Sequence, residues 1–319
     1  MFADAAVRRP GPAWFAGSRS WLLISVVGLL AWAVVANAVA GAGTAAPSDA
    51  PPTTPFRLTA AGTDAKAKDT KFHVASFNVL GYNHTTKGGD AKGFAGGRKR
   101  MEYAYRILQK HHVNVVGFQE LQPQQYEKFN ALTGKRWSLY PGDRLERIAM
   151  HNSIAWKTGK WELLEAKYIA IPYFYGDPVK MPIVKLRHRK TGRVVYFANF
   201  HNPADSYGPA QKWRDKARRK EIALARRKFD EGVPLVITGD MNEREKYFCN
   251  MVAKAPMRAA NGGKNPKSAP CDTPEPMGID WIFGSRYIDF TQYKKLETPL
   301  VHRTTDHPFL VTRASIPTR

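Results

Sequence analysis

Short apolar runs that stop at polar residues recur along the chain from residue 71 onward. In the segment PLVITGDMNE (residues 234–243), the continuous run Leu-Val-Ile is typical of a strand covered on both faces. The run ends at Asp240 and Asn242, which the alternation of a strand places on one face. By itself this ending fits either a polar turn or a functional site. Further strands are predicted at residues 72–78, 113–118, 193–200, 279–283 and 309–311.

Other segments carry the spacing of amphipathic helices. Residues 98–111 predict one helix, and residues 211–230 predict a second, very basic helix. Residues 152–156 and 161–164 are predicted to form a β-hairpin. Because strands and helices alternate without a Pro/Gly-rich break, we predict a single α/β domain with mixed sheets over residues 71–315.

The N-terminal pattern is different. An uncharged apolar run at residues 21–35 follows three arginines and precedes A-x-A sites, which is the layout of an export signal. The extended run is also long enough to be a retained membrane anchor with its basic end in the cytoplasm. We therefore expect residues 1–41 to be a signal peptide or anchor and residues 42–70, rich in Ala, Pro and Thr, to be a flexible linker. In both cases we expect the remainder of the chain to be extracellular, either secreted or held at the outer face of the membrane.

The charge of the chain indicates which class of partner it binds, and its two cysteines indicate a disulfide. The net charge is +22, from 49 Lys+Arg against 27 Asp+Glu, which favours polyanionic partners such as DNA, RNA or an anionic membrane surface. The basic helix at 211–230 fits nucleic acid binding and a merely solvated face equally well. The only two cysteines, Cys249 and Cys271, are expected to form a disulfide that stabilises the fold by roughly 3 kcal/mol; two buried free thiols are the alternative.

Polar side chains lie where the predicted strands end, which is where α/β folds gather their catalytic groups. Each has an ordinary explanation: Glu120 could cap a helix at 123–130, and His201 could be a loop histidine. Their repeated occurrence favours a common site. The candidates are Asn78, Glu120, His201, Asp240, Asn242, Asp306 and His307, together with Asp280 inside a short strand.

Six ordered motifs contain these residues: SFNV (76–79), GFQE (117–120), NFHNPAD (199–205), ITGDMN (237–242), GIDWIF (278–283) and TTDHPFL (304–310). In this order they resemble the endonuclease/exonuclease/phosphatase superfamily, and specifically its deoxyribonuclease and sphingomyelinase branches. The resemblance implies a four-layer α/β sandwich of two packed mixed β-sheets flanked by helices. It also implies metal-assisted hydrolysis of phosphate esters.

Residue chemistry agrees with a metal-dependent reaction. A hard cation such as Mg²⁺, with Mn²⁺ or Ca²⁺ as alternatives, prefers oxygen ligands. Glu120 is the leading candidate ligand, with Asn78 and Asp306 beside it. The cation would neutralise the phosphate and the departing oxygen.

The remaining candidates are assigned to proton transfer and positioning. His307 is the leading general base because imidazole titrates near neutral pH. Asp280 matches the family position of the carboxylate that orients this histidine. Asp240 and Asn242 would position the attacking water and the phosphate, and His201 resembles the second histidine of the two branches.

Two departures from the pancreatic deoxyribonuclease pattern stand out. The carboxylate partner of His201 has no clear counterpart, although Glu146 is a candidate. Just after Glu120, this chain has Gln122 and lacks the arginine with which that branch contacts DNA. The aromatic-rich segment 168–175 could contact bases or lipid, but packing in the core is its simpler interpretation.

These observations predict an exported, monomeric, metal-dependent phosphodiesterase, with a nuclease favoured. The nearest enzyme alternative is a sphingomyelinase-like or other phospholipid or inositol-phosphate phosphoesterase, because the same positive charge would hold the protein on an anionic membrane. A basic nucleic-acid-binding module is the non-enzymatic alternative.

Overall fold

The structure is a computed structural model that describes residues 68–266 and 269–318. The predicted signal peptide or anchor lies outside the described residues, as does most of the predicted linker; the first strand begins at Thr70. Within the described ranges, no helix has both the length and the hydrophobicity needed to cross a membrane.

Strands and helices alternate along these ranges. The strands are β1 (Thr70–Asn78), β2 (Val115–Gln119), β3 (Trp137–Tyr140), β4 (Ile154–Lys157), β5 (Trp161–Pro172), β6 (Pro178–His188), β7 (Val194–His201), β8 (Leu235–Asp240), β9 (Met257–Ala259), β10 (Asp280–Ser285), β11 (Asp289–Leu296) and β12 (Phe309–Ile316). The α-helices are α1 (Gly97–Lys110), α2 (Pro123–Thr133), α3 (Arg147–Met150), α4 (Gln211–Asp230), α5 (Glu245–Lys254) and α6 (Pro299–His302).

The strands form two mixed sheets of six strands each. The first sheet has the order β11-β12-β1-β2-β4-β3, and the second has the order β5-β6-β7-β8-β10-β9. Each sheet contains one parallel pair near its centre, β1 with β2 and β7 with β8. The other pairs are antiparallel, so the two sheets repeat the same plan.

Apolar side chains join the sheets and helices into four layers. Between the sheets, the Phe72 and Phe197 rings lie 5.7 Å apart within a shared apolar cluster. On the outer face of the first sheet, Phe118 packs at 5.3 Å against Phe129 of α2, and α1 covers the same face. The outer face of the second sheet packs against α4 and α5. The predicted four-layer α/β sandwich is confirmed.

The predicted hairpin of residues 152–156 and 161–164 is wrong. β4 pairs with β2 on one edge and β3 on the other, whereas β5 pairs with β6 in the second sheet. Both hydrogen-bonding edges of β4 are therefore occupied, and the short connection carries the chain from one sheet to the other. The hydrophobic pattern of two neighbouring strands is the same whether they form a hairpin or enter different sheets, so the sequence could not distinguish the two cases.

The two cysteines form the expected disulfide. Cys249 lies in α5 and Cys271 in the long excursion between β9 and β10, and their Cα atoms are 5.9 Å apart. The bond ties this excursion to the helix that covers the second sheet.

Candidate active site

The predicted site residues meet at one edge of the sandwich. β1 in the first sheet and β7 and β8 in the second end at Asn78, His201 and Asp240. The antiparallel strand β10 begins at the same edge with Asp280, and His307 lies just before β12. A hydrogen bond of 3.2 Å from Asn78 Nδ2 to Asp240 Oδ2 joins the two sheets here. Packing of two separate sheets thus brings together side chains that are far apart in sequence.

Asn78 is fully buried and links two carboxylates. Its Nδ2 donates to Glu120 Oε1 at 2.9 Å as well as to Asp240. Its Oδ1 accepts from the backbone N–H of Leu80 at 3.0 Å, which sets the orientation of the amide. Asn78 therefore presents its NH₂ group to the carboxylates, and its predicted role as a metal ligand stays a prediction.

Glu120 follows β2 in a left-handed backbone conformation, with φ of 60°. This conformation is uncommon for residues other than glycine, and it is typical of functional positions. Oε2 of Glu120 accepts from the backbone N–H of Gly81 at 2.7 Å. Burial raises the pKa of Glu120, but His201, Asn78 and Gly81 together outweigh it and hold the pKa below its ordinary value. The side chain is therefore ionised at neutral pH.

Glu120 is not a helix cap. Gln122 occupies the N-cap of α2, and its side chain and that of Gln125 form a reciprocal capping box with the backbone. Pro123 occupies the first helical position, where proline is favoured. The carboxylate of Glu120 is thus left to face the site.

His307 and Asp280 form a close pair. Nδ1 of His307 lies 2.9 Å from Asp280 Oδ2, and its Nε2 lies 3.6 Å from Asp240 Oδ2. Burial lowers the pKa of His307, but Asp280 and Asp240 more than offset this and raise the pKa well above its ordinary value. Burial raises the pKa of Asp280. The imidazole therefore lies between two buried carboxylates, with Nε2 directed into the site.

Asp240 and Asn242 form a turn at the end of β8, and the Asp240 side chain lies in the site. Asp240 Oδ1 accepts from the backbone N–H of Asn242 at 3.0 Å, and Asn242 has a φ of 49°. Because the strand stops at Asp240, the left-handed turn and not strand alternation decides where Asn242 points. Its Nδ2 donates to the backbone oxygen of Asn202 at 2.8 Å. Met241 between them is buried in the core, as expected.

His201 is buried, with Nε2 3.5 Å from Asp240 Oδ2 and its ring 5.7 Å from that of Tyr173. Glu146, the suggested partner of His201, instead forms a 3.0 Å ion pair with Lys180. The branch-specific carboxylate–histidine pair is therefore not made by Glu146. Asp240 is the carboxylate beside His201.

Asp306 lies apart from the hydrogen-bonded group. Its side chain is exposed, and Oδ1 accepts from Thr305 Oγ1 at 3.3 Å. No hydrogen bond among the described residues connects it to the other predicted site residues. Its assignment as a metal ligand stays a prediction.

Three further groups lie at the site: His84 and His151, which sequence patterns did not reveal, and Tyr173 of the aromatic-rich segment 168–175. His84 lies in a short 3₁₀ helix after β1 (Tyr82–Thr85), with Nε2 3.5 Å from Glu120 Oε2 and Nδ1 2.6 Å from Asp90 Oδ1. Burial lowers the pKa of His151 to about 4, so this imidazole is neutral at physiological pH. Burial, followed by the charges of Glu120 and Asp240, raises the pKa of Tyr173 well above its ordinary value. His84 and His151 lie outside the apolar runs, where periodicity carries no signal.

A buried polar network supports the site from below. Asn199 Nδ2 donates to the backbone oxygen of Phe118 at 2.6 Å, and its Oδ1 accepts from Gln119 Nε2 at 2.7 Å and Thr238 Oγ1 at 2.8 Å. Gly117 leaves room for this contact, since an added Cβ would lie 2.0 Å from Thr238 Oγ1. The network joins both sheets directly beneath the strand ends and holds them in register.

The site offers donors suited to a divalent cation. Asp240, Asp280 and His307 each present a ligand atom, and these atoms lie within 4.8 Å of one another. Asn78 connects this group to the ionised Glu120. Asp240 and Asp280 are buried and Glu120 is half-buried, so these carboxylates favour a compensating positive charge, and an oxygen-rich donor set suits a hard ion such as Mg²⁺. The residues present therefore fit a divalent metal.

Comparisons with known proteins agree with this geometry. A sequence profile described as the Endonuclease/Exonuclease/phosphatase family matches residues 75–307, a range that contains every predicted site residue. No significant match is found among curated proteins.

Solved structures share the fold at low sequence identity. An endonuclease/exonuclease/phosphatase family protein from Bacteroides thetaiotaomicron has a TM-score of 0.61 and 18% identity, covering 79% of this chain and 97% of its own. A mannosyl-6-phosphatase from Bacteroides thetaiotaomicron VPI-5482 has a TM-score of 0.58 and 18% identity, covering 76% and 99%. D. rerio TDP2 complexed with single strand DNA product has a TM-score of 0.54 and 16% identity, covering 77% and 99%.

Proposed function

Because this chain belongs to the endonuclease/exonuclease/phosphatase family, we propose that it is a metal-dependent phosphodiesterase that cleaves nucleic acid. Family members are hydrolases that act on phosphoester bonds and generally use a divalent metal. The observation that carries the proposal is the pairing of His307 with Asp280 at 2.9 Å, beside the carboxylates that Asn78 links.

His307 is the proton acceptor in this proposal. In the neutral form of His307, Nδ1–H is donated to Asp280, and Nε2, 3.4 Å from Asn78 Nδ2, takes a proton from the attacking water. The Asp280 carboxylate then stabilises the imidazolium that results. Because Asp280 is buried, little solvent weakens this interaction.

His201 and the neighbouring amides hold the phosphate. His201 Nε2 and His307 Nε2 lie 3.5 and 3.6 Å from the same Asp240 oxygen, so the two imidazoles flank one position. In its protonated form His201 donates to a phosphoryl oxygen or to the departing oxygen. Asn242, fixed by its turn, adds a neutral polar group beside them.

Glu120 is the principal metal ligand proposed, together with Asp240, which Asn78 links to it. A divalent cation held there would neutralise the phosphoryl oxygens and stabilise the leaving oxyanion. The lowered pKa of Glu120 supports this role, because the ligand must be ionised to bind a cation.

Charge supports nucleic acid as the substrate. The net charge of +22 and the exposed cations of α4 favour a polymer that offers several phosphates. The fold neighbour TDP2 complexed with single strand DNA product adds weaker support. The apolar run at residues 21–35 supports export of the enzyme, so the substrate would be extracellular nucleic acid.

A side-by-side assay tests the proposal. Purified full-length protein with Mg²⁺ is incubated with single-stranded DNA, plasmid DNA, RNA, sphingomyelin and phosphatidylinositol phosphates, and His307→Ala is the matched control. Cleavage of nucleic acid by the wild type and not by His307→Ala supports the proposed function. Turnover of a lipid without nucleic acid cleavage overturns it in favour of a phospholipid phosphodiesterase.

A further inference from the structure

A row of aromatic rings leads from His201 to the protein surface. The ring of Tyr173 lies 5.7 Å from the His201 ring, and Phe174 lies 4.4 Å from Tyr173. Tyr207 lies 4.6 Å from Phe174 and 6.1 Å from Tyr175. We call these four residues, Tyr173, Phe174, Tyr175 and Tyr207, the aromatic row. It connects the candidate active site to solvent without interruption.

The outer half of the aromatic row is exposed. Tyr175 is 70% exposed and Tyr207 is 48% exposed, so the interpretation of segment 168–175 as core packing is wrong at its tip. Tyr175 also has a φ of 57°, a left-handed conformation that is rare for an aromatic residue. Strained residues of this kind persist where the surrounding structure holds them, and they cluster at ligand-binding positions.

Both loops that carry the row are held in place before any ligand binds. In the first, the N–H of Tyr173 donates to the backbone oxygen of Asp177 at 2.8 Å. In the second, Asp205 makes a 3.1 Å ion pair with Arg214 at the start of α4 and accepts from the N–H of Ala210 at 2.7 Å. A surface that is already ordered loses little conformational entropy on binding.

Positive charge lies beside the row. Trp213 packs against the first loop, since a Cβ added to Gly176 would lie 2.6 Å from the indole ring. Lys212 and Lys216, both exposed, each place Nζ 4.6 Å from the centre of that indole ring. Exposed aromatic faces flanked by cations complement a ligand that alternates flat rings with phosphates.

We propose that the aromatic row is a stacking platform for unpaired nucleobases of a single strand, whose phosphates contact Lys212 and Lys216. The inference rests on the proposed nuclease function and specifies its substrate class. Aromatic rings stack on any base, so the platform selects unpaired strands without selecting their sequence. In a duplex the base faces are covered by neighbouring pairs, and the platform prefers single strands or frayed ends.

Removal of the two exposed rings tests the platform. The variant Tyr175→Ala/Tyr207→Ala is compared with Tyr175→Phe/Tyr207→Phe, which keeps both rings. Tyr168→Ala is the matched control, because Tyr168 is 48% exposed like Tyr207 but lies against Lys180 outside the row. The substrates are a single-stranded oligonucleotide and an abasic strand of the same length, which has the phosphates without the bases.

The double alanine variant is expected to show an approximately ten-fold or larger rise in KM for the base-bearing strand, with kcat and the KM for the abasic strand unchanged. The phenylalanine variant and Tyr168→Ala should behave like the wild type. An alanine variant that keeps the preference for the base-bearing strand overturns the inference. A phenylalanine variant that fails as the alanine variant does also overturns it, because the hydroxyl and not the ring would then be responsible.

Equilibrium binding separates this inference from the proposed function. Fluorescence anisotropy with the same two strands and no added metal measures stacking whether or not cleavage occurs. If the wild type cleaves neither strand, the nuclease proposal fails, and the binding preference alone decides the platform. Loss of binding to phosphatidylglycerol vesicles by the double alanine variant, with DNA binding unchanged, assigns the row to a membrane and overturns the inference.

Discussion

Asp240, the last residue of β8, and Asp280, the first residue of β10, are partners in antiparallel register. Both side chains are buried, and His307 lies against both, with Nδ1 2.9 Å from Asp280 Oδ2 and Nε2 3.6 Å from Asp240 Oδ2. Two carboxylates beside one imidazole favour the imidazolium, and they raise the His307 pKa even though burial opposes this. The strand pair therefore supplies both the orientation of His307 and its electrostatic support.

Substitution of this pair should reduce the rate of the chemical step. We expect His307→Ala to lower kcat on the best phosphodiester substrate by about 10²–10⁴-fold, because no other group replaces Nε2 as proton acceptor. Asp280→Asn should also lower kcat, since an amide stabilises the imidazolium less well. Steady-state kinetics measure both effects, and unchanged circular dichroism spectra confirm folding. Wild-type kcat in His307→Ala would remove this histidine from the mechanism.

Metal removal should abolish activity, and Glu120→Gln should weaken metal binding. The amide is nearly the same shape as the carboxylate but lacks its charge, so a higher Mg²⁺ concentration is needed for half-maximal activity. Activity is titrated with Mg²⁺ after treatment with EDTA. Asp306→Asn in the same titration tests the exposed carboxylate, for which we expect a smaller shift. Full activity in EDTA would contradict a role for the cation.

Gly117→Ala should destabilise the protein by about 1–3 kcal/mol, the usual effect of overpacking a buried site. The added Cβ would lie 2.0 Å from Thr238 Oγ1 and 2.2 Å from Asn199 Oδ1, within the network that joins the sheets. Gly159→Ala is the control, because a Cβ there meets no atom within 4 Å. Urea unfolding measures both variants. Equal free energies of unfolding for the two variants would show that the network accommodates the added methyl group without loss of stability.

Stability should depend on pH through Glu221, which is fully buried on α4 and accepts a 2.6 Å hydrogen bond from Tyr247. Burial raises the pKa of Glu221 from 4.5 to about 7. The folded state thus holds the proton more tightly than the unfolded chain. This contribution to stability is complete below pH 4.5 and is lost as the pH rises through 7, and it amounts to roughly 3 kcal/mol.

Glu221→Gln should remove that pH dependence because the amide stays neutral. Urea unfolding at pH 5 and pH 8 gives the free energy of unfolding for each form. The exposed Glu297→Gln is the control and should keep the wild-type difference between the two pH values. If Glu221→Gln kept the wild-type difference in the free energy of unfolding between pH 5 and pH 8, another group would be responsible for the pH dependence.

Loss of the disulfide should lower the free energy of unfolding by roughly 3 kcal/mol, because the Cys249–Cys271 bond restricts the unfolded chain. The double variant Cys249→Ser/Cys271→Ser measures this by urea unfolding. Dithiothreitol should destabilise the wild type by a similar amount and leave the double variant unchanged. Sensitivity of the double variant to the reductant would point to a different cause.

The sequence by itself determined the fold class, the main strands and helices, and the polar residues at the strand ends. Apolar periodicity reports which positions are buried, so β1, β8, α1 and α4 could be predicted almost to their ends. The ordered motifs identified the family because they combine buried strands with the polar residues at the strand ends. The cysteine pair was predictable because only one pairing exists.

Tertiary structure decided the partners and directions of the site residues. β4 and β5 separate into different sheets because both edges of β4 are occupied, by β2 and β3. Left-handed backbone at Glu120 and Asn242 redirects their side chains, and a contact with Leu80 orients the amide of Asn78. Exposure of Tyr175 and Tyr207 follows from the conformation of the two loops that carry the aromatic row. Local patterns report burial, whereas strand pairing and the meeting of the strand ends depend on contacts between segments far apart in sequence, and only the packed sheets bring those segments together.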